Sequence, residues 1–489
     1  MANKNSPSLG VNFLMNIVLR LSSLIFPLIT FPYISRVLQA DGYGKIQLAT
    51  SVISYFILLS QLGIPTYGIR ACAIVRDDRE KLTRTVHELM AIQAIMTAIT
   101  YIILFVVMQS VPRLAQERTL YLINSASIFL GMLGMEWLFQ AMEQYTYITM
   151  RSLLFKTISI VAMFLLVHTQ EDYLVYAGIS VCASVGSNIM NLTQLHKYID
   201  IRPVGSYDIK RHIKPVLLFF GLVCATTIYT SLDSVMLGFM ATDADVGYYS
   251  AAVKIKNILV NIVAALGTVL LPRVSYYFEQ DQMEAFWAII KKALHFVFLL
   301  ALPLTVYFMI FAGNGIGFLS GSGYESSVLP MIVIMPTVLL IGLTNILGIQ
   351  VLVPTGRESV VMWSTIVGAV VDVIINALMI PRYKAIGAAI GTLIAEMVVF
   401  IVQYVVLRKE VGPIFREIKL LPIALAVAVG VVASFWMTAL PLNDFFILVI
   451  SAVTFFGVYV AALNVIKEPT FMELEKRLLG KVWKRINKE

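Results

Sequence analysis

The sequence predicts an all-α, polytopic membrane protein of about fourteen transmembrane helices, and three observations carry that prediction. Of 489 residues, 59% are hydrophobic and 13% charged, about half the charged share of a soluble domain. The apolar residues fall in continuous runs of about 20, the length a helix needs to cross roughly 30 Å of hydrocarbon. A β-barrel would show short alternating segments instead. The third observation is an internal echo. Gly44, Ala49 and Arg70 recur as Gly247, Ala252 and Arg273 at a constant offset of 203 residues. Each set starts in the turn of an apolar hairpin and ends where its second run closes, and duplicated halves of this kind build many transporters.

In chain order the runs are 12–34, 46–69, 88–111, 120–141, 148–167 and 173–195, then 215–239, 248–271, 293–312, 328–353, 360–380 and 386–407, then 420–440 and 445–466. They divide the chain into a six-span lobe (1–195), a basic linker (196–214), a second six-span lobe (215–407), two added spans (408–466) and a basic tail (467–489). Met1 to Gly10 lacks a small-residue cleavage site, so the first run is expected to be retained rather than cleaved as a signal. With the N-terminus in the cytoplasm, 27 of the 37 Lys and Arg fall in inside segments and six in outside loops. That bias sets the orientation and places both termini inside. The run Arg76 to Lys81 reads as a solvated, mixed-charge face. In the tail, Phe471, Leu474, Leu478, Leu479, Val482 and Trp483 lie among basic residues, the pattern of a helix resting on the inner leaflet.

Charges inside the runs are costly and face a cavity or a partner. They are Arg20, Glu136, Lys156, Asp233, Lys254, Lys256, Asp372 and Glu396. Arg20 lies about 12 Å along its helix from the cytoplasmic end, deep for snorkelling, which favours a cavity role. Lys254 and Lys256 point about 200° apart, so only one faces a lumen, and Lys254 is chosen. Asp233 sits at a depth similar to Lys254, and the two make either a structural or a functional pair. Glu136 and Lys156, near the cytoplasmic ends of adjacent runs, are expected to pair structurally. Asp372 and Glu396 fall near mid-depth on neighbouring antiparallel helices. Two carboxylates close together in low dielectric would share a proton, which suits ion coupling; alternatively, Asp372 and Asn376 hydrogen-bond across helices.

Enzyme chemistry finds little support. Three cysteines and five histidines lack metal-ligand spacing, and no G-x-x-x-x-G-K loop is present. Asp243-Ala244-Asp245 matches a metal-binding D-x-D but reads as a polar turn. No metal, no cofactor and no nucleic-acid partner is expected.

The stretches Pro27-Leu28-Ile29-Thr30-Phe31-Pro32-Tyr33-Ile34-Ser35-Arg36, Gly42-Tyr43-Gly44 and Leu62-Gly63-Ile64-Pro65-Thr66-Tyr67-Gly68-Ile69-Arg70 resemble the opening of the bacterial oligosaccharide-lipid flippases of the Wzx type. That family shares a superfamily with the MATE exporters and the lipid II flippase. Glu136-Trp137-Leu138-Phe139-Gln140, Gly247-Tyr248-Tyr249-Ser250-Ala251-Ala252 and Gly387-Ala388-Ala389-Ile390-Gly391-Thr392 continue the likeness. The resemblance implies two pseudo-symmetric six-helix bundles in a V, two extra spans, and transport of undecaprenyl-pyrophosphate-linked glycan units to the outer leaflet. It implies Arg20, Arg70 and Lys254 as cavity cations, with Arg36 at the outer mouth. Asp233 and Lys156 also match family positions, whereas Asp372 departs from an expected uncharged residue. Arg suits pyrophosphate because its planar fork binds phosphate oxygens in pairs. The expected partners are the lipid-linked glycan, membrane lipids and polysaccharide polymerase machinery, in the bacterial inner membrane. A MATE-type cation exporter is the rival, although its lumen should be acidic. A membrane glycosyltransferase or polymerase is the third reading, opposed by the short outside loops.

Overall fold

The computed structural model describes residues 9–473 and 475–476. Most of the basic tail, including Leu478, Leu479, Val482 and Trp483, lies outside the described residues. Among those described the chain is helical with no strand. Ten helices are long and apolar enough to cross a membrane, eleven if the bent pair Asp243–Ala265 and Leu270–Glu279 counts as one span. The fourteen runs of the sequence therefore do not return as fourteen separate helices. Part of the difference is fusion. Glu358–Glu417 is one element of 60 residues, about 90 Å if straight, but it breaks at Lys384 (φ 49°). Its arms pack antiparallel: Gly387 lies against the Met379 backbone, Gly391 against Asn376, and Gln403 Nε2 donates to Ser364 Oγ over 3.1 Å. One element thus holds two crossings.

The chain divides into two compact units, Met1–Gly247 and Tyr248–Glu489. The first holds α1 (Leu9–Gln61), α2 (Ile64–Val75), α3 (Arg79–Ser110), α4 (Pro112–Gln116), α5 (Arg118–Gly134), α6 (Glu136–Ala141), α7 (Tyr145–Leu166), α8 (Tyr173–Val185), α9 (Ile189–Leu195) and α10 (Lys210–Met240). Helix α1 turns at Gln39 (φ 55°), and its two halves have different neighbours. The first half runs parallel to α7 at a fixed offset of 134 residues. Thr149 Oγ1 donates to Met15 O (2.9 Å), Lys156 Nζ to Ser22 Oγ (2.9 Å) and Tyr33 Oη to Val167 O (2.7 Å). The second half runs antiparallel to α10. Gly44 meets Asp243, Leu48 meets Gly238, Ser54 Oγ donates to Ser231 Oγ (3.2 Å), and Gly63 meets Val216 and Phe220. From Gly44 to Gly63 the contact runs for about 28 Å.

Two glycines make the outer part of that contact possible. A Cβ on Gly44 would lie 1.8 Å from Asp243 O, and one on Gly247 would lie 2.1 Å from Ala40 O. Residues 40 and 44 shifted by 203 are 243 and 247, so the two turns of the echo touch each other reciprocally.

The second unit holds α11 (Asp243–Glu279, from Tyr248 on), α12 (Met283–Ile310), α13 (Ala312–Ser320), α14 (Val328–Ile334), α15 (Thr337–Thr344), a π-helical stretch (Asn345–Leu352), α16 (Glu358–Glu417), α17 (Leu420–Ser434) and α18 (Asp444–Ile466). The last two form a hairpin on α12 and α13. Tyr307 Oη donates to Leu448 O (2.8 Å), Tyr459 Oη to Leu299 O (2.9 Å), and Asn314 Nδ2 to Asp444 Oδ1 (2.8 Å). Helix α11 bends near Gly267, whose carbonyl accepts from Gln350 Nε2 of the π-helical stretch over 2.9 Å.

Candidate functional site

Two candidate cations of the first unit, Arg20 and Arg36, lie along the first half of α1. Arg20 is exposed, and its Nε donates to Asn16 Oδ1 one turn earlier (3.3 Å). Lys156 of α7 reaches Ser22 Oγ and Ser23 Oγ at 2.9 and 3.0 Å. Two basic side chains on parallel helices therefore flank one turn of α1, among an amide and two hydroxyls. A forked guanidinium and a point-charge ammonium are each side chains that bind phosphate oxygens.

The expected Glu136–Lys156 pair is not formed. Glu136 pairs with Arg151 instead (Oε2 to Nη2, 2.8 Å), and buried Arg151 also donates to Ser187 Oγ and Asn188 Oδ1 at 2.7 and 2.8 Å. The physical reason is direction: the parallel register with α1 turns Lys156 towards Ser22, whereas Arg151 faces α6 and the segment after α8. Axial depth, the quantity the sequence offers, does not fix where a side chain points around a helix.

The remaining candidates are distributed as follows. Arg36 is exposed at the turn of α1, donating to Pro32 O, and Arg70 is exposed on α2. Asp233 is buried on α10, and Lys254 is half-buried on α11 of the second unit. Asp372 and Asn376 are buried one turn apart, both turned towards Gly391 on the other arm of the hairpin. Their Oδ1 atoms lie 3.0 and 2.1 Å from where a Cβ on Gly391 would stand. Glu396 is buried further along that arm.

The motif residues pack against one another. Trp137 lies 2.8 Å from where a Cβ on Gly68 would stand, and Tyr249 Oη is 2.8 Å from Thr392 Oγ1. In the D-x-D turn, Asp243 takes Arg113 Nη2, and Asp245 Oδ2 accepts from the Thr242 backbone and hydroxyl (3.1 and 2.6 Å). Its carboxylates hold the turn. Nearby, Glu117 accepts from Lys45 Nζ (2.9 Å) and Tyr173 Oη (2.8 Å) beside a cleft of about 670 Å³ bordered by Asp41, Thr169 and Gln170. Among the described residues no three His, Cys, Asp or Glu converge as a metal site.

Residues 9–278, more than half of the chain, match the family model described as polysaccharide biosynthesis protein. The chain belongs to that family. A relative in Escherichia coli (strain K12), provisionally named an O-antigen transporter, is 24% identical over 399 residues, covering 81% of this chain and 96% of that protein. Among solved structures, the lipid II flippase MurJ in an inward closed conformation superimposes with a TM-score of 0.72 at 14% identity, over 96% of this chain and 99% of that one. An inward-facing multidrug resistance MATE family transporter of the MOP superfamily gives 0.61 at 13% identity, over 80% and 96%. The fold is that of these transporters.

Proposed function

We propose that this protein moves polyprenyl-pyrophosphate-linked oligosaccharide units from the inner to the outer leaflet of a bacterial cytoplasmic membrane, for O-antigen, capsule or exopolysaccharide assembly. It works by alternating access, driven by an ion gradient and without covalent chemistry. The observation that supports this reading best is the cationic character of the first unit's α1–α7 face, where Arg20 and Lys156 stand among Asn16, Ser22 and Ser23. A charged headgroup enters the membrane only where fixed charges of opposite sign replace its water. Arg20, Arg36, Arg70 and Lys254 are the residues assigned to the pyrophosphate and its path. Asp233 and the buried Asp372–Glu396 region are assigned to ion coupling. The lobes 1–195 and 215–407 are the duplicated units, and both termini lie in the cytoplasm by the charge bias. Polymerase machinery would receive the glycan outside.

The test uses a host whose surface glycan depends on this protein. Arg20→Ala and Lys254→Ala are expected each to abolish surface glycan while the membrane level of the protein holds. Normal glycan in both variants would overturn the assignment. The MATE fold keeps cation export as the second reading, and efflux of a cationic dye that survives both substitutions would favour it.

A further inference from the structure

A cleft of about 670 Å³ opens in the first unit where the turn of α1 meets the segment joining α7 to α8. Asp41, Lys45, Thr169, Gln170, Glu171 and Tyr173 line it. Its walls are held by the fold. Tyr33 Oη donates to Val167 O (2.7 Å), and Asp172 Oδ2 accepts the backbone N–H groups of His168 (2.9 Å) and Thr169 (2.8 Å) and the Thr169 hydroxyl (3.0 Å). Gly42 lets α1 approach this segment, since a Cβ there would stand 3.5 Å from Gln170 O. Glu117 fixes two more of the lining groups. It accepts from Lys45 Nζ (2.9 Å) and Tyr173 Oη (2.8 Å), and Nζ stands 5.1 Å over the centre of the Tyr173 ring.

Three planar side chains of the lining have hydrogen-bonding capacity that the fold does not use. Gln170 and Glu171 are exposed, and among the described residues no hydrogen bond or ion pair engages either side chain. Asp41 comes within 3.8 Å of Lys45 Nζ, beyond hydrogen-bond distance. Together they offer two carboxylates, which only accept, and one amide, which accepts and donates. An apolar ligand would strip water from the carboxylates without replacing it. An acidic ligand would meet net negative charge, because the ammonium of the lining, Lys45, is already paired with Glu117. A ligand with several hydroxyls close together suits the set, since each O–H both donates and accepts. Sugar rings, neutral or bearing an amine, have that chemistry. The volume lies within the roughly 300–1,000 Å³ of small-molecule sites.

We propose that this cleft binds carbohydrate, taking neutral or amine-bearing sugar rings and turning acidic ones away. With the N-terminus in the cytoplasm, the turn of α1 and residues 168–172 face outside, so the cleft receives the glycan as it emerges. That part in transport rests on the function proposed above, but saccharide binding does not.

The test is saccharide binding to the full chain in phosphatidylethanolamine–phosphatidylglycerol nanodiscs, titrated by saturation-transfer NMR against empty nanodiscs. The ligands are N,N′-diacetylchitobiose (neutral), chitobiose (amine-bearing) and digalacturonate (acidic). The first two should bind in the millimolar range and digalacturonate about tenfold more weakly, the scale of like-charge contacts a few ångströms apart in water. Asp41→Asn combined with Glu171→Gln keeps the shape of the cleft and should erase most of that difference. Gln170→Trp, at an exposed position, fills the cleft and should abolish binding of all three. Should one variant fail to fold, the wild-type ranking and the other variant decide. No binding of any ligand, digalacturonate bound as well as the neutral sugar, or binding that survives Gln170→Trp would overturn the site. In cells of its own host depleted of this protein, the wild type should restore surface glycan and Gln170→Trp should restore less at an equal membrane level. Equal restoration would overturn the cleft's part in transport. Saccharide binding as expected, with no restoration by the wild type, would count against the transport reading alone.

Discussion

The two ends of α10 are held in opposite ways. Where the chain turns from α10 into α11, backbone meets backbone: Gly247 lies against Ala40, and Gly44 against Asp243. At its other end, α10 is held by charge, through Arg211 and His212 on the buried carboxylate of Glu88. Shape leaves no tolerance at the first end, because the partner atoms are carbonyls that do not rotate away. At the second, the contact depends on how many basic side chains share one anion.

The largest effect should come from breaking the shape-limited end. Gly44→Ala places a methyl 1.8 Å from Asp243 O, so α1 and α10 must separate along their length. The expected loss is more than about 3 kcal/mol, in the range reserved for severe overpacking, seen as reduced folded protein in the membrane and a lower melting temperature. Gly221 is the control. It lies in α10 with nothing within 4 Å of a Cβ, so Gly221→Ala should match or exceed wild-type stability by up to about 1 kcal/mol. Equal melting of the two variants would refute the account of this contact.

The charge-limited end should yield less. Glu88→Ala leaves Arg84, Arg211 and His212 without their shared acceptor. Breaking a buried pair costs about 3–5 kcal/mol, but the two arginines are 33% and 43% exposed, which lowers the expectation to about 2 kcal/mol. Adding Arg211→Ala to Glu88→Ala should recover part of that loss, because the second change removes a stranded charge. A double variant as unstable as the sum of the singles would show that the two do not interact.

The same contrast explains what the sequence made legible. The apolar runs and the 203-residue echo depend on composition and spacing, and the echo returns as the reciprocal contact of Gly44 and Gly247. The antiparallel arms around Lys384 likewise follow from two runs and a short turn. Partner choice among charges did not follow. Glu136 and Lys156 matched in depth, yet a parallel register with α1 sends Lys156 to Ser22 and leaves Glu136 to Arg151. Glu88 opens the run 88–111 and no local pattern marks it, because its partners at 208, 211 and 212 are some 120 residues away. The run from Arg76 to Lys81 read as a solvated face; it is exposed, but Arg76 and Arg79 pair with Glu143 and Asp200. Local pattern carries axial position, whereas azimuth and long-range pairing come only with packing.

The smallest effect belongs to the pair of Arg79 with Asp200 of the segment joining α9 to α10. The hydrogen bond from Arg79 holds the Asp200 carboxyl below the usual aspartate range. Both side chains are about half exposed, so water and salt screen the pair and Arg79→Ala should shift the melting temperature little at neutral pH. The sign with pH is fixed nonetheless. A carboxyl whose folded pKa is depressed stabilises the fold fully above its unfolded value of about 3.9, and that stabilisation disappears as pH falls through the lowered folded value. The wild type and Arg79→Ala should therefore differ above pH 5 and converge in acid. Melting curves of both proteins taken between pH 3 and 8 check this: a difference that widens in acid would mean that Arg79 acts through its carbonyl contacts at 196–199 and not through Asp200.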